Sequence, residues 1–342
     1  MSNRIGYIDA MRGLAILSVV TSHIYTFSFS NSDIFEKVIC NELQLPLFFL
    51  VSGLVLRVPE KNIFSVVSKR AFALCVPAAI FMLVYIWASN HHLYDTLFDA
   101  YKHGYWFTFS LFEFIVVFVC LTSLLRMLRL RESVIDIAML ILGVAILYGA
   151  VFFLRHHKEW PIVDLLQLTH FHNYIYFVVG VLMSKYELLE KLQSFRKSDV
   201  VCGGGILAFF LIHIFTYKDG DIAYLGSSTW WLMLSTLSGL FVIACAFRKY
   251  EWLSESKVGR GLQYIGRYTL DIYFIHYFII PRHLSMVGKW FKLNPNPFIE
   301  FILAVGIAGA LVIASLAISK IIRMSPTLAH WTLGVKNNRH DA

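Results

Sequence analysis

Long apolar runs, separated by short polar segments, recur along this chain from its first residues to about residue 322. A run of about twenty apolar residues is what an α-helix needs to cross the ~30 Å hydrocarbon layer of a bilayer. The pattern predicts helices near 7–29, 43–58, 71–90, 105–125, 134–154, 172–186, 200–217, 230–247, 267–288 and 298–322. The second and sixth are short and carry Gly53 and Gly180. The connections are brief and leave no room for a soluble domain. The expectation is an all-α polytopic membrane protein, with about ten transmembrane helices around a central pore. Residues 1–342 form a single transmembrane domain, with an ordered membrane core over about 5–325 and a short tail over 326–342.

Composition agrees with the pattern. Hydrophobic residues make up 58% of the 342 and charged residues only 15%, where a soluble domain carries about 25% charged. Mean hydropathy is +0.64. A water-soluble core of this size cannot hide so many apolar side chains, so lipid is the solvent for most of the surface. The formal charge of +8 does not point to nucleic acid, because the basic residues sit in short clusters between apolar runs rather than along one polar face. They read instead as topology signals. Twenty Lys and Arg lie at the N-terminus, in the even-numbered loops and in the C-terminal tail. Eight lie in the odd-numbered loops, with Arg57, Lys185, Arg282 and Lys320 near helix ends counted to the adjoining loop or tail, and Arg12 and Arg267 complete the thirty. Excess basic charge marks the cytoplasmic side, so both termini are expected there.

The five cysteines (Cys40, Cys75, Cys120, Cys202 and Cys245) are scattered singly and make no disulfide framework or zinc spacing. The first apolar stretch holds Asp9, Arg12 and His23, which does not suit a cleavable signal peptide. Seven of the thirteen histidines fall in two outer loops: His91, His92 and His103 in the third, and His156, His157, His170 and His172 in the fifth. No carboxylate or cysteine accompanies them at a ligand spacing, so no metal is expected. Polar loops that contact a hydroxylated acceptor account for them equally well.

Ionisable groups inside apolar helices are costly, and each one asks for a reason. Arg12 and His23 are eleven positions apart, so they differ by only about 20° around the first helix and are about 16 Å apart along it. Asp9 lies within about 60° of both. Asp9 and Arg12, at i and i+3, can pair near the cytoplasmic end, where such a pair also serves simply to anchor a helix at the interface. An arginine and a deep histidine on one face suggest a path with a cation at its inner mouth and a titratable base far along it. Glu113 in the fourth helix and Asp271, Tyr273 and His276 in the ninth are further intramembrane polar groups. Tyr273 and His276 share a face, whereas Asp271 lies about 140° from His276. Arg57, Lys61, Lys69 and Arg70 form a basic inner loop suited to phosphate groups, and equally to ordinary positive-inside charge.

Five stretches in order resemble the acyltransferase 3 family of membrane-bound O-acyltransferases: YIDAMRGLAILSVVTSH, LPLFFLVSGLVL with Ser52–Gly53, SKRAFALCVP, GYWFTFSLFEF with Trp106, and GRYTLDIYFIH. The last carries Thr269 where the family usually has serine, and the basic stretch lacks a further arginine about a turn later, where this chain has Leu74 or its neighbours. The resemblance implies transfer of an acyl group, often acetyl, from cytoplasmic coenzyme A thioester to a hydroxyl of a sugar, polysaccharide or lipid-linked glycan. It implies a multi-pass protein of the plasma (bacterial inner) membrane, with acetyl-CoA as co-substrate and no permanently bound cofactor. His23 would be the essential histidine and Arg12 its partner on the donor path.

Joined to the residue-level reading, the resemblance gives a mechanism. Acyl-CoA docks at the cytoplasmic face against Lys69, Arg70, Arg57 and Arg12, and its pantetheine arm carries the thioester towards His23. There His23 acts as base on an acceptor hydroxyl, or in a variant as the nucleophile itself. Asp9 completes the catalytic group, while Glu113, Trp106, Ser52, Tyr273 and His276 support the pore. Tyr273 or a backbone N–H would serve the oxyanion. Ser52–Gly53 lacks the G-x-S-x-G elbow and reads as helix packing. The rival expectation is a transporter or flippase for a polar or glycan-linked substrate, which would line its path with the same groups.

Overall fold

The computed structural model describes residues 5–30, 35–57, 62–156, 160–195, 198–218, 221–222 and 229–335. These residues are helical or in short connections, apart from two two-residue strands, Tyr217–Lys218 and Asp221–Ile222, paired antiparallel. Among the described residues, five helices are long and apolar enough to cross a membrane: Ile63–Ser89, Trp106–Met127, Glu132–Gly149, Trp231–Lys249 and Pro297–Ile322. In each, fewer than half of the residues of the apolar window are buried, between 28 and 44%. Side chains such as Phe64, Trp87 and Ile313 stand exposed. Apolar surface on that scale is stable only against lipid, and a helix is the form that satisfies its own backbone there. The chain is an integral membrane protein.

Several boundaries differ from the sequence expectation. The second helix runs Phe35–Leu54 rather than 43–58, with Pro46 inside it. Its start reaches back because Glu36, Lys37 and Glu42 are good helix formers that an apolar count passes over. The third begins at Ile63 for a similar reason: the Ser68–Lys69–Arg70 segment is polar but helical. The single span expected over 267–288 is corrected. A helix Lys257–Arg267 stops at Tyr268, a second helix covers Thr269–Ile279, and a third covers Ser285–Leu293. Ile280 is extended at φ −60°, ψ 123°, as expected of a residue that precedes proline, here Pro281. Beyond residue 325, where a tail was expected, Pro326–Leu333 is an α-helix capped by the Ser325 side chain and closed by Gly334 at φ 64°.

Contacts divide the chain into two units, residues 1–52 with 183–317 and residues 53–182 with 318–342. In the first, Gly6–His23 lies against Lys257–Arg267 with backbones touching. A Cβ on Gly266 would fall 1.8 Å from the Asp9 carbonyl oxygen, and one on Gly13 would fall 2.0 Å from that of Leu262. Small residues permit this approach, as is common between membrane helices. Ala10, Met11, Ile16 and Val20 fill the interior of the same unit. In the second unit, Gly53 sits against the Phe177 carbonyl oxygen, 2.2 Å from where its Cβ would be, so its pairing with Ser52 serves packing. There too, the His330 ring lies 4.7 Å from that of Phe72, which docks Pro326–Leu333 on Ile63–Ser89.

Candidate active site

The first helix passes at His23 into a π-helical turn, Ile24–Ser28, whose Ile24, Tyr25 and Ser28 are buried. Widened turns of this kind are frequent at functional sites. His23 meets two consecutive residues of Thr269–Ile279. Its Nδ1 is 2.9 Å from His276 Nε2, and its Nε2 is 3.1 Å from the Tyr277 hydroxyl. The two imidazoles are nearly parallel, 5° apart, with centroids separated by 5.1 Å.

The proton positions follow from the partners. His276 Nδ1 lies 2.9 Å from the Ile272 carbonyl oxygen, which can only accept, so Nδ1 carries the proton. In a neutral ring Nε2 is then the acceptor, and His23 Nδ1–H donates to it. His23 Nε2 therefore holds the lone pair, and the Tyr277 O–H donates to that nitrogen. His276 is fully buried, Tyr277 nearly so, and His23 half-buried. Phe27 packs 5.4 Å from His23 and 6.1 Å from Tyr277. With both rings neutral, the arrangement leaves a lone pair on His23 Nε2, which is what a general base requires.

Towards the other end of the first helix, the buried Asp9 stands between two guanidinium groups. Arg12 is 3.6 Å from Oδ1 and Arg267 is 3.7 Å from Oδ2. Both contacts are longer than a hydrogen bond, so the attraction is charge with charge. The arginine side chains are 32% and 46% exposed. Tyr273 and Asp271 are buried in Thr269–Ile279, and Ser52 is half-buried near the end of the second helix.

The second unit holds the remaining expected residues. Arg57 and Lys69 are exposed and Arg70 is half-buried. Trp106, buried, stacks on His170 at a centroid distance of 3.5 Å. His170 Nε2 binds the Ala100 carbonyl oxygen at 2.9 Å, and burial pushes its pKa down to about 3. Glu113 Oε2 is buried without a hydrogen-bond partner among the described residues. Lys102 is buried too, and its ammonium donates to the carbonyl oxygens of Leu97 at 2.6 Å and Asp164 at 3.0 Å. Burial lowers its pKa, against the opposing charges of Asp99, Asp164 and Glu113. Lys102, His103 and Gly104 all have positive φ, at 43°, 50° and 98°. Such backbone costs about 1–3 kcal/mol per non-glycine residue and persists where the surroundings enforce it. The His103 ring stacks on that of His91 at 4.3 Å. Among the described residues no group of three or more His, Cys, Asp or Glu could hold a metal. Lys61 and His157 lie outside the described residues.

The structure thus joins His23 to His276 and Asp9 to Arg12 within one unit, and places Arg57, Lys69, Arg70, Trp106 and Glu113 in the other. Sequence reasoning missed Tyr277, Arg267 and Lys102. Adjacency to His276 was a usable signal for Tyr277. For Arg267 there was none, because its partner Asp9 lies at the opposite end of the chain.

No curated protein and no solved structure matches this chain. A family model described as an acyltransferase domain matches residues 5–322, nearly the whole length, and the chain belongs to the acyltransferase 3 family.

Proposed function

We propose that this protein is a membrane O-acyltransferase. It moves an acyl group, acetyl in the simplest case, from cytoplasmic acyl-CoA to a hydroxyl of a sugar, polysaccharide or lipid-linked glycan. The observation that carries the reading is the chain of contacts from the Ile272 carbonyl oxygen through His276 to His23 Nδ1, each 2.9 Å, which in a neutral pair leaves the His23 lone pair on Nε2. The acceptor oxygen attacks the thioester carbonyl while His23 Nε2 takes up its proton. The C–S bond then breaks, and the coenzyme A thiolate recovers that proton from the imidazolium. Asp9 positions the Arg12 guanidinium on the donor path. Arg57, Lys69 and Arg70 supply charge for the nucleotide phosphates. The excess of Lys and Arg on alternate sides of the apolar runs supports both termini in the cytoplasm, and the reading places the chain in a plasma (bacterial inner) membrane.

The test uses the full chain in isolated host membranes, whose own glycans supply the acceptor, given [14C]acetyl-CoA. Labelled ester should form with the wild type and vanish with His23→Ala. Label that persists without His23 overturns the proposal, and glycan movement across the membrane without a new ester would identify a transporter instead.

A further inference from the structure

The lone pair of the proposed base is already occupied. Tyr277 Oη lies 3.1 Å from His23 Nε2 and donates to it, while His276 alone already fixes the tautomer through the other nitrogen. A second hydrogen bond at the basic nitrogen is not needed to set the tautomer, and donated to the lone pair it competes with uptake of a proton there unless the proton moves along it. The site spends a buried phenol, only 9% exposed, at the one atom that must receive the acceptor's proton. A phenolic oxygen accepts while it donates. It can therefore take one proton as it gives up another.

We infer that Tyr277 relays the proton between the acceptor hydroxyl and His23. This rests on the acyl-transfer reading above and adds a step to it. As the acceptor oxygen forms its bond to the thioester carbonyl carbon, its proton passes to Tyr277 Oη, and the phenolic proton passes to His23 Nε2. When the C–S bond breaks, the imidazolium returns a proton to Tyr277, whose own proton goes to the coenzyme A sulfur. The products are the ester and the free thiol, and both side chains end as they began. Phe27, edge-on to Tyr277 at 6.1 Å, covers the relay with an apolar ring. The acceptor hydroxyl is accordingly expected against Tyr277 rather than against the imidazole itself.

The experiment compares Tyr277→Phe, Tyr277 replaced by 3,5-difluorotyrosine, and His23→Ala, as full chains in isolated host membranes given [14C]acetyl-CoA. Loss of the relay should lower kcat about 100-fold, within the usual range for a proton-transfer group, and leave KM for acetyl-CoA within about 2-fold. Difluorotyrosine keeps the shape and hydroxyl but is more acidic, and it should shift kcat by about 3-fold or more at unchanged KM; a tyrosine that only packs would show no such shift. If Tyr277→Phe and the fluorinated protein both keep the wild-type kcat while His23→Ala is inactive, the relay is overturned and the acyl-transfer reading stands. If His23→Ala is also active, the underlying reading falls with it.

Discussion

His276 Nε2 accepts from His23 Nδ1 at 2.9 Å, across 253 residues of sequence, while its own Nδ1–H is held by the Ile272 carbonyl oxygen one helical turn earlier. The orientation of the proposed base is thus set by a backbone carbonyl, through one fully buried ring. His276→Phe keeps a ring but removes the acceptor, so His23 is free to place its proton on either nitrogen. The expected outcome is a fall in kcat of about 100-fold or more, as wrong-tautomer variants of other catalytic histidines show. His276→Asn, whose side-chain oxygen can accept from Nδ1–H, should recover part of it. Initial rates of label transfer decide; full activity in His276→Phe would remove His276 from the mechanism.

The glycines between the first helix and Lys257–Arg267 yield a graded prediction about stability. Gly266→Ala and Gly13→Ala would each drive a methyl into a carbonyl oxygen, at 1.8 and 2.0 Å. Neither backbone can move without displacing the other helix, and overpacking of this kind costs about 1–3 kcal/mol. Gly261, on the same helix, has nothing within 4 Å of its would-be Cβ. Gly261→Ala should therefore be neutral or stabilising by up to about 1 kcal/mol, from helix propensity. Thermal unfolding in detergent should lower Tm for the first two and not for the third. Equal effects at all three positions would contradict the close backbone contact.

Acid should weaken the fold through His170. In the folded chain burial holds its pKa at about 3, against 6.5 when unfolded, so the folded ring stays neutral where the unfolded ring takes up a proton. Its contribution is whole above pH 6.5. It diminishes as pH falls from there towards 3, because the unfolded state binds more protons over that window. Tm measured between pH 7.5 and 4 should decline for the wild type. His170→Phe keeps a ring against Trp106 but loses the bond to Ala100, so it should start lower and decline less steeply. Parallel slopes for the two proteins would assign the acid sensitivity elsewhere.

The long spans were legible because bilayer thickness imposes a length on apolar runs, and length is visible in a single sequence. Ile63–Ser89 and Pro297–Ile322 show it well, although polar ends such as Lys69–Arg70 stay helical beyond the apolar count. Residues 267–288 misled because their hydropathy is continuous while Pro281 interrupts the backbone, a local steric effect that a window average smooths away. His23 stood out as a titratable group in an apolar run. Tyr277 did not, since a tyrosine in such a helix needs no special reason. Arg267 was visible only as a charge at a helix end. Its role appears once Gly266 lets that helix touch Asp9.

By itself the sequence determined the solvent of this protein, its helical class, its family and the candidate base, because these depend on composition, run length and motifs read along the chain. Only the tertiary structure decided which nitrogen of His23 faces His276, which hydroxyl meets the other and that Arg267 joins Arg12 beside Asp9. Those are hydrogen bonds and charge contacts of a few ångströms between residues some 250 positions apart, and distance in space is not encoded in separation along a chain.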